Sequence, residues 1–242
     1  LNMSIQTKKP QYLKMDPITH ILHRPDTYVG SLQNRFIDEY IASQEQNFSI
    51  IKKNINYSPA ILRIFVEILS NAIDNVIRSR GTNNPCTKIN INIDIKTGKT
   101  VIWNDGNIIP IEMNTEEKCY NHTLIFGHLL TSSNYVDNEN RLVSGRNGFG
   151  TCLCNIFSKY FKVRGLDPER KLLFTQIWEN NMKKTTIPVV CKTKLKTGFT
   201  EVTWIPDFKK FGLQGYTKDI IDLYCKFCID SAMLTRVKVI FN

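Results

Sequence analysis

The chain has 242 residues, 42% of them hydrophobic, which is enough apolar material for the core of one sizeable domain. No run of eighteen uncharged apolar residues occurs, and the opening stretch lacks the apolar middle of a signal peptide, so composition argues against membrane insertion and secretion. The odd number of scattered cysteines, 7, favours free thiols in a reducing, intracellular compartment over a disulfide framework. Cys225 and Cys228 form a CxxC pair that fits either half of a zinc site or two core thiols of a helix.

The formal charge of +10 is concentrated in one part of the chain. Residues 159–210 contain most of the excess of Lys and Arg, and aromatic residues are interleaved with them. Such a mixture is compatible with contact to a phosphate backbone, and it equally fits a solvated basic face on a half-buried sheet.

The first half of the chain predicts an arm, a long helix and a hairpin. Residues 1–31 have few periodic apolar positions and three prolines, which indicates an arm with little core of its own. Residues 59–80 have Pro59 at the start, no glycine, and Gly81 after the end, as expected for one buried helix. Strict alternation then predicts a strand over KINININIDI, with Ile89, Ile91, Ile93 and Ile95 on one face, followed by a second strand, TVIWN.

The second half predicts a long loop and further strands. Residues 107–144 are rich in Asn and Ser, with a short helix near 124–130, and loops of this length are often lids. A helix over TCLCNIFSKY, strands over FKVRG, LLFTQIW, TIPVVC and FTEVTWIP, a helix over about 217–232 and a last strand VKVIF follow. These elements predict an α+β fold with a mixed, mostly antiparallel sheet and helices on one face.

A polar stripe runs along the long helix. Glu67, Asn71 and Asn75 recur every four residues, so they lie on one face, and Ser70, Asp74 and Arg78 extend it. A solvent-facing stripe usually carries Lys and Glu pairs, whereas this one carries amides. Because burying unpaired carboxylates and amides is costly, the stripe predicts a cavity, an ion or a ligand beside the helix.

Two glycine-containing segments add to this prediction. Asn104-Asp105-Gly106 follows a strand, where glycine permits a sharp turn that presents a polar group to a small planar ligand. Residues 145–152, GRNGFGTC, open a helix whose backbone N–H groups could close on phosphate oxygens. Thr151 stands where a P-loop has lysine, and the glycine order GxxGxG does not fit a dinucleotide fingerprint, so both of these motifs are excluded.

The order of these signals resembles that of the GHKL (Bergerat-fold) ATPases. The runs YLKMDPITHILHRPDTYVGS, EILSNAIDN, VIWNDG, LIFGHLLTSSNY, GRNGFG, LCNIFS and QIWENNM are similar to the N-terminal ATPase domain of eukaryotic-type type II DNA topoisomerases, from a eukaryote or a large DNA virus, nearly end to end. The resemblance implies an arm over 1–31 that contacts a partner subunit, an ATPase domain over 32–242, and transducer and DNA-cleavage domains outside this chain.

The resemblance also implies site residues. Glu67 would be the general base that polarises the attacking water, and Asn71 would hold Mg²⁺ on ATP; one helical turn between them suits an in-line attack. Asn104 would contact the adenine side, and Tyr12 would reach the nucleotide site of the partner subunit, unless the arm is disordered. The remaining nucleotide contacts would be Asn75, Arg78, Ser132, Ser133, Asn134, Gly145, Arg146, Asn147, Gly148, Phe149, Gly150, Thr151 and Cys152.

Two positions depart from the family pattern. Ile108 replaces the second glycine of the turn motif, and a β-branched residue does not adopt positive φ cheaply. Cys152 replaces a lysine, which removes a positive charge from beside the phosphates and predicts weaker nucleotide binding.

The resemblance predicts an ATP-operated gate that forms a homodimer on ATP binding and captures double-stranded DNA, and it leaves open a monomeric isolated domain. Hydrolysis by the isolated domain should be slow. The expected location is the nucleus of a eukaryote, or the host cell or virion of a virus. Two alternatives remain: a GHKL chaperone, mismatch-repair ATPase or kinase, and a basic DNA-binding module with an inactive pocket.

Overall fold

The computed structural model describes residues 15–43, 49–129 and 150–242. Tyr12, residues 130–149 and the other predictions that fall on the remaining positions lie outside the described residues. Within the described residues the order of elements is α1 (Pro17–His23), β1 (Arg35–Ser43), β2 (Ser49–Tyr57), α2 (Pro59–Ser79), β3 (Lys88–Asp94), β4 (Lys99–Asp105), α3 (Asn121–Gly127), α4 (Gly150–Ile156), β5 (Ser158–Asp167), β6 (Leu172–Glu179), β7 (Lys184–Thr185), β8 (Val189–Lys192), β9 (Phe199–Pro206), α5 (Lys218–Thr235) and β10 (Lys238–Phe241).

Eight strands form one sheet in the order β10-β3-β4-β9-β5-β6-β7, with β8 also paired to β6. Among the strands of the described residues only the β10–β3 pair is parallel, so the predicted mixed, mostly antiparallel sheet is confirmed. No helix of the described part of the chain is long and apolar enough to cross a membrane.

The long helix α2 forms as predicted and supplies much of the core. Most of its apolar side chains are buried, and Phe65 stacks on Tyr224 of α5 at a centroid distance of 3.8 Å. The Tyr224 hydroxyl donates to the Ile61 carbonyl at 2.8 Å, which fixes α5 against α2. The helix is thereby held rigidly beside the sheet, and its polar stripe has a fixed position.

The β3–β4 hairpin is confirmed except at its end. Ile89 and Ile91 are completely buried, whereas Ile95 is 54% exposed and lies beyond β3. The strand stops because the Asp94 carboxylate accepts hydrogen bonds from the turn, including one from the Thr97 hydroxyl at 2.7 Å. The prediction that Ile95 lies on the inner face of this strand is therefore wrong.

Two predicted helices need correction. The short helix expected over 124–130 is α3, which begins earlier, at Asn121. The helix after Gly150 ends at Ile156 instead of continuing to Tyr160, because Ser158 already begins β5, and its hydroxyl donates to the Cys154 carbonyl at 2.6 Å.

The N-terminal part contributes more than the sequence predicted. Ile21 of α1 and Val29 are buried in the main core, so residues 17–31 are packed against the domain. The β1–β2 hairpin was not predicted at all. It forms a separate antiparallel sheet whose inner face packs on α5.

Candidate functional site

The polar stripe of α2 contains Glu67 and Asn71 one helical turn apart. The Glu67 side chain is only 19% exposed, and its Oε1 lies 2.5 Å from the Nη2 of Arg63. The Asn71 amide nitrogen donates to the Glu67 backbone carbonyl at 2.9 Å. This bond fixes the amide so that its oxygen remains the acceptor available to a ligand.

Burial and the neighbouring Arg63 shift the pKa of Glu67 in opposite directions. Burial raises the pKa of Glu67 above the ordinary glutamate value, and the Arg63 guanidinium offsets part of this rise, while Asp74 adds to it. A carboxylate whose pKa is raised in this way is a stronger proton acceptor than an exposed one. The local environment therefore suits a general base.

Asn75 connects the helix to the Asn104-Asp105-Gly106 turn. Its amide nitrogen donates to the backbone carbonyls of Asp105 and Asn107, both at 3.1 Å. Asn104 is only 6% exposed, and its amide donates to the Asp105 carbonyl at 2.9 Å. The structure thus brings together the helix and the turn, two signals separated by about thirty residues in sequence.

The carboxylate of Asp105 supports the turn. It accepts from the Thr87 hydroxyl at 2.6 Å and from the backbone N–H groups of Thr87 and Lys88 at 2.8 and 2.9 Å. Although burial acts to raise the pKa of Asp105, these hydrogen bonds hold it below its ordinary value. The sequence predicts that this turn presents a polar group to a ligand, but the Asp105 carboxylate makes these hydrogen bonds within the protein.

Glycine is required at position 106. Gly106 has φ of +100°, and a Cβ there would lie 2.6 Å from the Cβ and 2.7 Å from the backbone of Cys86. Ile108 is not among the described residues with positive φ, so the backbone at this position is compatible with a β-branched residue.

The last glycine of the GRNGFG run reaches the polar stripe. Gly150 is the first residue of α4, and a Cβ at this position would collide with Oε2 of Glu67. The Thr151 hydroxyl donates to the Ile125 carbonyl at 3.0 Å, which ties the beginning of α4 to α3. The glycine run therefore ends directly at the proposed base.

Cys152 faces α3. Its thiol donates to the His128 carbonyl at 3.1 Å, and burial raises its pKa to about 12, so the thiol is protonated at neutral pH. Asn155 extends this contact by donating to the Phe126 carbonyl at 3.0 Å. These two α3–α4 hydrogen bonds could not be predicted from the sequence, because they join side chains to backbone carbonyls. A nucleotide contact by Cys152 remains a prediction and would involve its backbone.

The other residues singled out in the sequence fall into three sets. Arg78 is exposed near the end of α2, and its predicted nucleotide contact remains a prediction. Cys225 and Cys228 are both buried in α5. The predicted contacts outside the described residues are Tyr12, Ser132, Ser133, Asn134, Gly145, Arg146, Asn147, Gly148 and Phe149.

The described residues fit a nucleotide with a divalent cation. Amide and carboxylate oxygens, such as those of Asn71 and Glu67, are suitable ligands for Mg²⁺ directly or through water. Gly150 leaves no side chain between the helix N-terminus and the Glu67 carboxylate, so backbone N–H groups can approach an anion closely.

Relatives with similar sequences include several proteins named DNA topoisomerase 2. No family model matches the chain. The DNA topoisomerase 2 of Invertebrate iridescent virus 6 is 44% identical over 99% of this chain, and that of Drosophila melanogaster is 40% identical over 96%. The chain spans about a fifth of the length of these relatives, 22% and 16% respectively.

Solved structures similar to this chain include proteins of the same family. The ATPase region of Saccharomyces cerevisiae topoisomerase II superimposes with a TM-score of 0.91 and 37% identity, covering 96% of this chain and 60% of that structure. The 43K ATPase domain of Thermus thermophilus gyrase B gives a TM-score of 0.65 at 18% identity, which supports the fold alone. The chain therefore belongs to the DNA topoisomerase 2 family and has the GHKL fold of its ATPase region.

Proposed function

We propose that this chain is the ATP-binding and ATP-hydrolysing gate domain of a type II DNA topoisomerase. The observation that carries the proposal is that Glu67, whose backbone carbonyl accepts from the Asn71 amide one turn later on α2, lies against the glycine that begins α4. The buried carboxylate, the oriented amide and the anion-binding helix end are the three functions that triphosphate hydrolysis needs at one place.

In this proposal each residue has a defined task. Glu67 accepts a proton from the water that attacks the γ-phosphate, and Arg63 orients its carboxylate. Asn104 contacts the base of the nucleotide, while Asn75 holds the turn that carries Asn104. Mg²⁺, held by Asn71, would neutralise phosphate charge as ATP is cleaved.

The intact protein would be a homodimer that closes on ATP around a DNA duplex and reopens after hydrolysis. Tyr12 of the arm would enter the partner's nucleotide site, and Arg78 and residues 132–134 and 145–152 would complete the pocket. Double-stranded DNA is thus the proposed substrate of the intact enzyme. The nucleus, or a virion or infected host cell, remains the predicted location, and the similarity to proteins of a virus and of an insect supports either source.

The test is the pair Glu67→Gln and Glu67→Ala, with Glu179→Gln as a control for charge removal at a surface ion pair. Hydrolysis of ATP should fall by about a hundredfold or more in both Glu67 variants, while binding of a non-hydrolysable analogue persists. The control should hydrolyse ATP normally. Unchanged turnover in Glu67→Gln would remove Glu67 from its role.

The two alternatives make different predictions. A GHKL chaperone or kinase should show no stimulation of ATP turnover by DNA in the intact protein, whereas a topoisomerase should. A DNA-binding module with an inactive pocket should give no heat of binding with an ATP analogue and Mg²⁺ at millimolar concentration. Calorimetry on this chain separates that possibility from both ATPases.

A further inference from the structure

One edge of the large sheet is formed by β7 and β8, which both pair with β6 along the same side. The opposite backbone edge of β7 and β8 pairs with no strand of the described residues. Exposed strand edges offer unpaired N–H and C=O groups, and soluble proteins usually protect them. We call residues 183–196, which include both strands, the basic edge.

The basic edge carries a uniform charge. It contains five lysines and no Asp or Glu. Lys184 pairs with Glu179 at 2.9 Å, and the other four make no ion pair with a described residue. Excess positive charge on one strand edge prevents a second copy of the same edge from pairing with it. The five lysines are Lys183, Lys184, Lys192, Lys194 and Lys196.

The basic edge also exposes aliphatic side chains. Ile187 is 86% exposed, Val189 61% and Leu195 57%. A surface that serves only solubility does not need three exposed branched aliphatic residues between its lysines. A phosphate backbone would use the lysines but not the aliphatic groups or the backbone edge.

We propose that the basic edge binds an extended acidic peptide of a partner protein, which adds to β8 as a further strand. The unpaired backbone of β8 would supply the ladder of hydrogen bonds. Val189 and its aliphatic neighbours would contact apolar side chains on the peptide, and the lysines would attract its carboxylates. Charge complementarity and strand addition together favour this occupant over nucleic acid.

The test uses a fluorescent decapeptide of alternating Val and Glu, with binding to this chain followed by anisotropy. The triple variant Lys192→Glu/Lys194→Glu/Lys196→Glu should weaken binding by about tenfold or more. The matched control is Lys96→Glu/Lys99→Glu/Lys238→Glu, which makes the same charge change away from the basic edge. This control should retain most of the affinity.

Two further probes distinguish strand addition from simple charge attraction. A peptide in which the central Val is replaced by Pro should bind more weakly by about tenfold, since proline cannot donate to the ladder. A short DNA duplex should not compete with the peptide. Equal binding of the proline peptide, equal loss in both triple variants, or displacement by duplex would overturn the proposal.

This inference is independent of the nucleotide site. The Lys192→Glu/Lys194→Glu/Lys196→Glu variant should bind an ATP analogue as the unchanged chain does. The outcome of the hydrolysis tests on Glu67 and Gly150 variants does not bear on peptide binding, so the two proposals fail separately.

Discussion

Gly150 lies against Glu67 so closely that a single added methyl group would strike the carboxylate. The Cβ of any other residue at the start of α4 would collide with Oε2 of Glu67. The end of the glycine run and the proposed base are therefore in direct contact. The absence of a side chain at position 150 allows the Glu67 carboxylate to keep its position.

Gly150→Ala should impair hydrolysis without unfolding the domain. The atom that must move is the far end of a flexible side chain, so the protein can accept the alanine by displacing the carboxylate. Because displacing a reacting group by about 1 Å costs about a hundredfold in rate, turnover of ATP should fall by at least about tenfold. The melting temperature of the Gly150→Ala variant should stay close to that of the unchanged chain.

The matched control is Gly215→Ala, because a Cβ at Gly215 meets no atom within 4 Å. Its turnover and melting should both be normal. Equal turnover in the two alanine variants would show that the Gly150–Glu67 contact is unimportant for hydrolysis.

Gly106→Ala should destabilise the fold strongly. Both Gly106 and Gly81 have positive φ, +100° and +74°, so alanine is strained at either position. At Gly81 nothing else lies within 4 Å, and the cost should be about 1 kcal/mol. At Gly106 the backbone of Cys86 blocks the Cβ, and the loss of unfolding free energy in urea should exceed about 3 kcal/mol. Equal losses would contradict the predicted clash.

Substitution of Asn75 should reveal how the turn is held. Asn75→Ala leaves two carbonyl acceptors without their donor and should cost about 2 kcal/mol in unfolding free energy. Asn75→Asp should be worse, because a carboxylate would face the same two carbonyl oxygens. Both should weaken binding of an ATP analogue in calorimetry, whereas Asn56→Asp, on the exposed face of β2, should not. An aspartate variant as stable as the parent would show that these bonds contribute little.

His122 of α3 should make the fold sensitive to acid. It is fully buried, stacks on Phe174 at 4.5 Å, and neither ring nitrogen has a hydrogen-bond partner among the described residues. Burial lowers its pKa from 6.5 to about 4, although the nearby Asp167 acts to raise it. The imidazole of His122 binds a proton more tightly in the unfolded chain than in the folded one. The neutral buried His122 therefore contributes fully to stability above pH 6.5, and this contribution is lost as the pH falls toward 4.

Between about pH 7 and about pH 5 this one group should reduce the unfolding free energy by about 2 kcal/mol. His122→Leu should remove this part of the loss, even if its stability at neutral pH differs from that of the parent. The measurement is urea unfolding at both pH values. The same acid-induced loss in parent and variant would mean that His122 is protonated in the folded state.

The sequence predicted the elements whose patterns are local. The long helix α2 has an uninterrupted apolar face and ends before Gly81, and the β3–β4 hairpin alternates strictly, so both could be placed. The hairpin β1–β2 could not, because both of its faces are mixed. Phe36 is 73% exposed on the outer face, while Glu39 on the inner side accepts from the Tyr57 hydroxyl at 2.7 Å.

That Asn75 of the helix and the Asn104 turn would lie together followed from the family resemblance and the amide stripe. The orientation of the Cys152 thiol could not be predicted in this way. The thiol donates to the His128 carbonyl, which is available as an acceptor only because α3 ends just before it. The role of Asp105 was likewise hidden, since its partners are Thr87 and the first residue of β3, Lys88, on the neighbouring strand of the hairpin. Contacts between side chains and the backbone of another element have no periodic signature in sequence.

The most direct measurement is a crystal structure of this chain with a non-hydrolysable ATP analogue and Mg²⁺. The Glu67 carboxylate should lie within hydrogen-bond reach of a water in line with the γ-phosphate, and the Asn71 amide oxygen should coordinate the metal. A nucleotide bound away from Glu67 and Asn71 would contradict the assignment of this pocket as the site of ATP hydrolysis.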